Sequence, residues 1–530
     1  MKRDIDCLVI GYNEMNFSDY HKILSGMSKK SGAYRDLNLN FINYKDTEYT
    51  VTGIFNELLN IGNEKDKLNI GNTFSATISY LCSYLSRRNL TFDYINSFSS
   101  QKEQLVNMLL NDNVLTIAIT TTYYVAAFPI IEIVSFIKEY NAKAKIIIGG
   151  PFIANSINTL GTNELQYLLN VLKADFYINE SKGEESLVQL IECIKNDESY
   201  DKVPNLWLNN GKVSAISKKD ESLLNDNWVD WSLFKDRINN IVNVRTAISC
   251  PFLCSFCGFP QHAGEYQTMD IKYVEKELDM LNQINSVSGI YFIDDTFNIP
   301  SDRFKKILEM LIKKKYRFKW HSYFRCQYAD EEMVQMMKES GCEGVFLGIE
   351  SCNEEILENM NKHANPDDYL NGIHLLKKND IITFASFIVG FPGETEETAN
   401  QLIEFIEESA PTFYRTQVWY CDKITPIWDS RGKFMIKGEK FSWSHSSMNS
   451  ETAFDLVDKI FLNVKKSIWL PQYNFCFPGI FQILHRGISL ANLKEFLNCF
   501  NEGIKEKLLF SNNISLNLER QMCDALGLYP

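Results

Sequence analysis

The sequence predicts an α/β protein with three parts: a Rossmann-like domain, a partial (β/α)6 barrel and a helical C-terminal region. Two series of short apolar segments alternate with amphipathic helical segments, which is typical of parallel sheets wound by right-handed crossovers. A run of three cysteines follows the first strand of the second series. At 530 residues the chain is also too long for a single core.

Composition narrows the class of partner. The formal net charge is −13 and 45% of the residues are hydrophobic. Nucleic-acid phosphates need a clustered basic face, so we expect no nucleic-acid partner. The uncharged stretch Leu115 to Ile131 contains the hydroxyls of Thr120, Thr121 and Thr122 and also Pro129, and it therefore indicates a buried strand and loop rather than a membrane span. No signal peptide is evident, and we expect a cytoplasmic protein without membrane contact.

The first series indicates a domain over residues 1–203 with an insertion near its N-terminus. The predicted strands are Cys7–Gly11, Phe92–Asn96, Leu115–Thr120, Ala144–Gly149 and Ala174–Asn179, and the predicted helices are Ala76–Arg88, Ile130–Tyr140 and Glu184–Ile194. Residues 13–75 do not fit the alternation and stay unassigned. Ligands of such sheets bind beyond the carboxyl ends of the strands.

Three loops lie at those carboxyl ends. They are Thr120-Thr121-Thr122-Tyr123, Gly149-Gly150-Pro151-Phe152 and Glu180-Ser181-Lys182-Gly183-Glu184. The glycine pair allows close approach to the main chain, and threonine hydroxyls donate and accept hydrogen bonds without charge. A glycine pair is also typical of a plain tight turn. No Gly-x-Gly-x-x-Gly follows the first strand, which disfavours a nicotinamide or flavin site.

Residues 204–239 are predicted to be a linker with a hairpin turn at Asn209-Asn210-Gly211, between Leu206–Leu208 and Val213–Ala215. The barrel is predicted over residues 240–428. Its six strands are expected at Ile241–Ser249, Gly289–Asp294, Phe318–Arg325, Gly344–Glu350, Ile382–Val389 and Phe413–Tyr420. Catalytic groups of such barrels lie at the carboxyl ends of the strands. Residues 429–530 are predicted to be helical, with amphipathic runs at Glu451–Ser467 and Ser489–Leu509 that would cap the open side of the barrel.

The cysteine run is Cys250-Pro-Phe-Leu-Cys254-Ser-Phe-Cys257. Three thiols on one loop would hold three irons of a cubic iron–sulfur cluster and leave the fourth iron open to a small molecule. A structural zinc is the alternative, but it needs four ligands, and no second half-site follows the loop. A disulfide framework is disfavoured by the length of the chain and by the odd count of 13 cysteines.

A Cys-x-x-x-Cys-x-x-Cys loop after the first barrel strand, with Phe256 before its last cysteine, resembles the radical S-adenosylmethionine (SAM) superfamily. The blocks Ile293–Phe297, Leu347–Ser351, Lys362 and Gly390–Thr395 resemble its cobalamin-dependent branch. The resemblance implies a [4Fe-4S] cluster held by Cys250, Cys254 and Cys257, with SAM chelating the open iron. It also implies that reduction of the cluster cleaves SAM to a deoxyadenosyl radical.

The resemblance implies that the first domain is a cobalamin-binding, Rossmann-like domain. The resemblance implies that Thr120, Thr121, Thr122, Tyr123, Gly149, Gly150, Pro151, Phe152 and Glu180 hold the cofactor. The Asp-x-His-x-x-Gly signature is absent, and His21 is the only histidine before residue 262. Cobalamin would therefore be bound without a histidine on cobalt.

A narrower likeness points to the P-methyltransferases of phosphinothricin-type natural-product biosynthesis. The segments Gly11–Tyr20, Ser31–Asp36, Ile117–Thr122 and Trp443–His445 with Met448 carry it. It implies transfer of a methyl group from SAM, through methylcobalamin, to an unactivated carbon or a phosphinate phosphorus of a small precursor. An external donor such as flavodoxin or ferredoxin would supply electrons.

The resemblance also implies roles for further residues in this sequence. Phe256 would pack near adenine, Asp294 or Asp295 would accept the SAM amino group, and Arg325 would bind the SAM carboxylate or an anionic substrate. Glu350 would bind ribose, while Ser386, Gly390 and Pro392 would frame the adenosine. The residues expected to face the substrate are Tyr420, Cys421, His445 and His485. A surface ion pair for Arg325, an ordinary Gly-Pro turn and structural histidines are the plain alternatives.

Two other functions compete with methyl transfer. One keeps both cofactors but catalyses a non-methylating rearrangement or oxidation. The other is a sensor that carries the cluster and cobalamin without turnover. The mass of the product separates the first from methyl transfer, and the absence of SAM cleavage would identify the second.

Overall fold

The computed structural model describes residues 2–63, 66–124, 126–180, 182–209, 211, 213–214, 216–217, 223–510 and 513–528. Two compact units divide the chain. The first contains Met1–Met15, Thr73–Asn243 and Gln267–Ser286, and the second contains Asn16–Asn72, Val244–Tyr266 and Val287–Pro530. The predicted α/β class, with parallel sheets and a helical C-terminal region, is confirmed.

The first unit is built on a six-stranded sheet. Its strands are β1 (Asp4–Tyr12), β2 (Phe92–Ser97), β3 (Asn113–Thr120), β4 (Lys145–Gly149), β5 (Phe176–Ile178) and β6 (Leu206–Leu208). The spatial order is β2-β1-β3-β4-β5-β6, and only β6 is antiparallel to its neighbour. All five predicted strands of the first series are therefore present. Their β-branched runs are buried on both faces, as parallel strands covered by helices require.

Seven helices of the first unit lie among the described residues. They are Ala76–Arg87, Lys102–Asn111, Phe128–Tyr140, Pro151–Thr159, Thr162–Leu172, Glu184–Lys195 and Ile271–Asn282. The helix that starts at Pro151 differs from the expected loop at Gly149–Phe152. Proline suits the first turn of a helix because its missing N–H has no partner there. Asn210 and Ala215, at the predicted hairpin, lie outside the described residues, while Trp207 and Val213 form an antiparallel bridge.

The second unit contains the barrel strands. They are β7 (Gly289–Phe292), β8 (Lys319–Phe324), β9 (Cys342–Glu350), β10 (Ile382–Val389), β11 (Phe413–Val418) and β12 (Ile468–Trp469). These six follow one another in the sheet as parallel neighbours. The segment before the cysteine run is split into Ile241–Val244 and Ala247–Ile248. The carbonyl of Val244 accepts a 3.0 Å hydrogen bond from Ile293 N, which places the start of the cysteine loop beside β7.

The second unit contains fourteen α-helices among the described residues. They are Phe17–Met27, Gly32–Asn38, Val51–Leu58, Phe259–Ala263, Ser301–Lys314, Glu331–Glu339, Glu354–Asn359, Pro366–Lys378, Glu396–Ser409, Arg431–Phe434, Ser450–Asn463, Phe477–Leu484, Leu490–Phe510 and Leu516–Ala525. Side-chain N-caps start several of them, and the capping residues are Asp330, Asn353, Asn365, Thr395 and Asn449. The two predicted amphipathic runs of the C-terminal region are helical.

Residues 16–72, which the sequence left unassigned and which we placed in the first domain, group with the second unit. The anchor is Arg415 on β11, which is 1% exposed and donates to Asp36 at 2.8 Å and to Asn40 at 3.3 Å. Its guanidinium also lies 4.3 Å from the centre of the Trp469 ring. Contacts more than 370 residues apart in sequence carry no local pattern, so only the tertiary structure reveals this grouping.

A buried carboxylate joins the predicted linker to the helix Ile271–Asn282. Glu277 is 1% exposed and accepts 2.8 Å and 3.0 Å hydrogen bonds from Val229 N and from the indole N–H of Trp231. Trp231 is fully buried. This contact explains why residues 267–286, expected in the barrel, pack with the first unit.

Replacing Glu277 by Leu removes both acceptors while keeping a similar volume. Each buried donor left without a partner costs about 1–3 kcal/mol, so we expect a clear fall in melting temperature by circular dichroism. Glu277→Gln retains one acceptor oxygen, so its melting temperature should fall less than that of Glu277→Leu. Equal melting of the wild type and Glu277→Leu would contradict this account.

Candidate active site

The cysteine loop is held by hydrogen bonds with residues 359–361, at the C-terminal end of helix Glu354–Asn359. Ser255 N donates to Met360 O at 2.8 Å, Ser255 Oγ donates to Asn359 O at 2.6 Å, and Asn361 Nδ2 donates to Leu253 O at 2.8 Å. Cys257 N donates to Cys254 O at 3.1 Å and closes a turn inside the loop. The three thiols therefore sit on a loop of defined shape.

The thiols have different surroundings. Cys254 is 5% exposed, while Cys250 and Cys257 are half-buried. Cys250 Sγ lies 3.2 Å from the hydroxyl of Thr296, a residue that the sequence did not single out. Burial raises the pKa of the Cys257 thiol to about 11. No disulfide involves these cysteines.

The donor set is compatible with a cluster. Among the described residues, no group of three or more His, Cys, Asp or Glu side chains converges on a single metal ion. In a cubic cluster each thiolate binds a different iron, so the three sulfurs need not share one coordination sphere. Three thiols, with no fourth ligand on the loop, fit the iron–sulfur group that the sequence indicates.

The acidic pair after β7 has two distinct environments. Asp294 is 2% exposed and accepts from Thr246 N at 2.6 Å, from Ala247 N at 2.9 Å and from the hydroxyl of Thr246. Burial raises its pKa, and the positive charge of Arg303 opposes that rise. Its oxygens thus brace the chain that enters the cysteine loop. Asp295 is the member of the pair that reaches solvent.

The carboxyl group of Asp295 is solvent-accessible but crowded by protein. This desolvation, and then the charge of Asp294, raise its pKa to about 7. Of the two aspartates proposed for the SAM amino group, Asp295 is therefore the one with oxygens free of the Thr246 and Ala247 main chain. That role stays a prediction.

Arg325 follows β8 and is 8% exposed. Its Nη2 donates to Cys254 Sγ at 3.2 Å, its Nη1 donates to Lys362 O at 3.3 Å, and its guanidinium lies 3.6 Å from the centre of the Phe252 ring. The expected alternative of a surface ion pair is wrong, because the side chain is buried against the cysteine loop.

Glu350, at the end of β9, has a positive φ of 68° and accepts a 3.1 Å salt bridge from Lys362. Gly348 makes room for this pair, since a Cβ there would lie 2.6 Å from Glu350 Oε1. The ammonium of Lys362 lies 5.5 Å from the centre of the Phe256 ring. Phe256, Glu350 and Lys362 are thus brought together beside the last cysteine of the loop.

The Gly-Phe-Pro-Gly-Glu segment after β10 forms a self-supported turn. Gly390 has φ 88° and its N–H donates to the buried carboxyl of Glu394. The carbonyl of Pro392 accepts a 3.1 Å bond from Asn359 Nδ2 and so connects the turn with the segment that holds the cysteine loop. Ser386 lies half-buried on β10 with Gly348 as its neighbour in register.

Of the four residues expected to face substrate, three contact residues 440–443. His445 is 9% exposed, stacks on Trp443 at 5.1 Å, and its Nε2 lies 3.0 Å from Gly390 O. Cys421 is fully buried and exchanges main-chain hydrogen bonds with Lys440. Tyr420 is 45% exposed and contacts Phe441 edge-on.

His485 lies at the other end of the strands. Its Nε2 contacts Glu343 at 2.9 Å and its Nδ1 contacts Ser288 at 3.0 Å. Ser288 precedes β7 and Glu343 is the second residue of β9, so both mark amino ends. The cysteine loop, Asp295 and Arg325 are at carboxyl ends, and the structure does not bring His485 to them.

An aromatic layer lines the inner face of the strands, and the sequence analysis did not identify it. The rings of Tyr291, Tyr323, Phe346 and Phe384, on successive strands, have centres 5.5, 5.0 and 4.7 Å apart. Phe477 of the C-terminal region lies 6.0 Å from both Phe346 and Phe384. Alternation along each strand was the available signal, but it does not say which face is the interior.

In the first unit, the predicted loops meet at the carboxyl edge of the sheet. Thr121 N and Oγ1 donate to Gly149 O at 3.0 and 2.8 Å, and Thr120 Oγ1 donates to Ile10 O at 3.2 Å. Thr122 Oγ1 lies 3.3 Å from Thr77 Oγ1. The hydroxyls that we expected to meet a ligand are therefore used to tie the loops together.

The same edge keeps features that suit a large ligand. Gly150 has φ 104° and caps the helix that begins with Pro151 and the half-buried Phe152, and Tyr123 is 50% exposed. At the end of β1, Glu14 Oε1 is buried without a hydrogen-bond partner, and burial raises the pKa of Glu14 to about 8.

The last of the predicted loops begins at Glu180. Glu180 accepts a hydrogen bond from Asn205, whereas Ser181 of the same loop lies outside the described residues. His21 is the only histidine that precedes residue 262 in the sequence, and it belongs to the second unit.

The model of the radical SAM superfamily matches residues 245–406. Residues 245–406 form a radical SAM domain. The predicted superfamily resemblance is thus confirmed for the part of the chain that carries the three cysteines, Asp295, Arg325 and Glu350.

Two curated relatives extend the comparison of the radical SAM domain. The chain is 31% identical to an uncharacterized methyltransferase, PH0819, of Pyrococcus horikoshii, over 31% of the chain and 36% of that protein. It is 25% identical to an anaerobic magnesium-protoporphyrin IX monomethyl ester cyclase of Cereibacter sphaeroides, over 80% of the chain and 71% of that protein. The match to PH0819 thus spans about a third of that relative.

Solved structures show the fold beyond the radical SAM domain. The methyltransferase TsrM of Kitasatospora setae, solved with cobalamin and a [4Fe-4S] cluster, matches with a TM-score of 0.61 at 14% identity, over 86% of this chain and 96% of that one. The cobalamin-dependent SAM radical enzyme OxsB, solved with aqua-cobalamin, matches with a TM-score of 0.56 at 13% identity, over 99% and 80%. The chain therefore shares the fold of cobalamin-dependent radical SAM enzymes.

No helix among the described residues has the length and apolar character needed to cross a membrane.

The buried Glu394 predicts a specific pH dependence of stability. Burial raises its pKa from 4.5 to about 7. Between these values the unfolded chain is ionised while the folded chain holds the proton, so the unfolding free energy falls as pH rises and levels off above pH 7. The expected loss is about 3 kcal/mol, from 1.36 kcal/mol per pKa unit.

Glu394→Gln removes this titration but keeps an acceptor for Gly390 N. The melting temperature of the wild type relative to Glu394→Gln should therefore fall from pH 4.5 to pH 7. A difference that stays constant over this range would refute the assignment.

Proposed function

We propose that this chain is a cobalamin-dependent radical SAM methyltransferase. It would transfer a methyl group from SAM, through methylcobalamin, to an unactivated carbon or a phosphinate phosphorus of a small natural-product precursor. The observation that carries the proposal is the three-cysteine loop, which follows a strand near the start of the radical SAM domain. The shared fold over 99% of the chain with a cobalamin-bound enzyme supports the second cofactor.

The bound cofactors would supply reductive cleavage of SAM and a methyl-carrying cobalt. The chain's own residues would position them. Cys250, Cys254 and Cys257 would ligate the cluster, and Asp295 would accept a hydrogen bond from the SAM amino group. Glu350 is fixed by Lys362, which orients its second oxygen for a ribose hydroxyl.

The carboxyl edge of the sheet in the first unit would hold cobalamin. The side-chain-free surface at Gly149 and Gly150, the exposed Tyr123 and the partnerless Glu14 oxygen support this assignment. The loops are tied to one another by Thr120 and Thr121, so they are organised before a ligand arrives. Such preorganisation lowers the entropy cost of binding.

The aromatic layer would form the floor of the substrate site. Tyr323 and Phe346 are partly exposed, and Ser386 lies half-buried on the neighbouring strand. Packing of Phe477 against this layer excludes water from one side, which protects radical intermediates from side reactions. We further propose a low-potential donor of the flavodoxin or ferredoxin type and a cytoplasmic setting.

A second function is favoured by one observation. The relative matched over 80% of the chain is named a cyclase. A non-methylating rearrangement or oxidation with the same cofactors would therefore use the same cysteine loop and differ only in the product.

Anaerobic reconstitution with iron, sulfide and cobalamin, followed by mass spectrometry, tests methyl transfer. With SAM, a reductant and a panel of phosphinates and amino-acid derivatives, we expect S-adenosylhomocysteine, 5′-deoxyadenosine and a product heavier by one methyl group. Serine at Cys250, Cys254 or Cys257 should abolish all three and lower bound iron. Cys193→Ser, on a helix of the first unit, is the matched control.

The outcomes separate the hypotheses. A product without an added methyl group supports the rearranging enzyme. Formation of neither S-adenosylhomocysteine nor deoxyadenosine supports a sensor. Full activity in the triple cysteine variant would overturn every cluster-based function.

Gly150→Ala tests cobalamin binding. At φ 104° a side chain is strained, and its Cβ would lie 3.0 Å from Thr121 Oγ1, which costs on the order of 1–3 kcal/mol and displaces the loop. We expect severalfold lower retention of cobalamin after gel filtration, followed by absorbance. Gly161→Ala, whose Cβ makes an ordinary 3.7 Å contact, should retain it, and equal retention by both variants would contradict the assignment.

A further inference from the structure

Arg325 places a buried positive charge beside the cysteine loop, and the proposed function gives this charge no role. The side chain is 8% exposed and donates to Cys254 Sγ at 3.2 Å. Among the described residues, no carboxylate lies within salt-bridge distance of this guanidinium, although other buried cations such as Arg415 and Lys362 have one. A buried charge needs a compensating partner. The acceptors that the structure offers are the carbonyl of Lys362 and the sulfur of Cys254, and of these two only the sulfur carries a charge when it is a thiolate.

The guanidinium is also fixed in its orientation. The ring of Phe252 covers it at 3.6 Å, and Lys362 O accepts from its second terminal nitrogen. The side chain of Asn298 is fully buried and fixes the main chain of Arg325. It accepts a 3.0 Å hydrogen bond from Arg325 N and donates a 3.0 Å hydrogen bond to Arg325 O. Contacts therefore hold both the main chain and the guanidinium of Arg325, and the guanidinium points toward the cysteine loop.

We propose that Arg325 is a positioning residue for the iron–sulfur cluster, and that its charged hydrogen bond to the Cys254 thiolate raises the reduction potential of that cluster. This rests on the cluster in the proposed function and replaces the role of Arg325 as a ligand of the SAM carboxylate. Hydrogen bonds to cluster sulfurs and nearby charge are established determinants of cluster potential.

The physical reason is electrostatic. One electron passes from an external low-potential donor to the oxidised cluster, the donor is oxidised by one electron, and no proton or bond is exchanged. The reduced cluster carries one more negative charge, so a buried cation at Cys254 stabilises it more than the oxidised form. Low local polarity strengthens this effect because water screens it less.

The test is an EPR-monitored redox titration of reconstituted protein without SAM or substrate. In Arg325→Gln the ratio of reduced to oxidised cluster at a fixed potential should fall at least about tenfold, which is about 59 mV for a one-electron couple. Arg325→Lys keeps the charge but cannot bond Cys254 and Lys362 O in one plane, so a smaller shift in the same direction is expected.

Arg415→Lys is the matched control, because Arg415 is also buried and stacked on an aromatic ring but contacts Asp36 and Asn40. It should leave the potential unchanged. An unchanged potential in Arg325→Gln overturns the proposal. If Arg325→Gln does not retain iron, Arg325→Lys decides, and a potential equal to that of Arg415→Lys overturns it.

This outcome is separate from that of the proposed function. A shifted potential in a protein that methylates nothing would remove the methyltransferase and keep the role of Arg325. Methyl transfer with an unshifted potential would do the reverse.

Discussion

A buried carboxylate sets the entry of the cysteine loop, and the arrangement of the site depends on it. Asp294 receives the main-chain N–H groups of Thr246 and Ala247 just before the loop begins. Because Asp294 lies two residues after the end of the neighbouring strand β7, the position of the loop is fixed relative to the sheet. The segment Asn359–Asn361 holds the other side of the loop. Thiols that must bind one cluster require this rigidity, since ligand geometry tolerates little error.

Charge around the loop is arranged in pairs that are mostly withdrawn from water. Glu350 and Lys362 neutralise each other beside Phe256, whereas Arg325 has sulfur as its partner. Such buried charges contribute little net stability, because desolvation offsets their attraction. Their value here is orientation: Lys362 fixes the carboxylate of Glu350, and its carbonyl helps to fix Arg325. The same network thus connects the cysteine loop with two strand ends.

Three of the candidate site residues share a position that local sequence patterns indicate. Asp295, Arg325 and Glu350 lie at or just after the carboxyl end of a strand with a clear apolar pattern, and parallel strands place such residues at one edge. His485 and the threonines of the first unit were harder, because a pattern gives the position along a strand or helix but not the partner. Glu343 holds His485 at the amino ends of the strands, and both donors of Thr121 bind the carbonyl of Gly149.

The amino-acid sequence by itself determined the order of strands and helices, the two parallel sheets and the loop with three thiols, because period, turn residues and spacing are local. The tertiary structure decided which neighbours meet. Residues 16–72 carry no βα rhythm, and only the pairing of Asp36 with Arg415, far along the chain, shows where they pack. Likewise, the contact of Arg325 with Cys254 joins residues with no sequence relation. Burial and pairing of charge depend on distance in space, which no local pattern encodes.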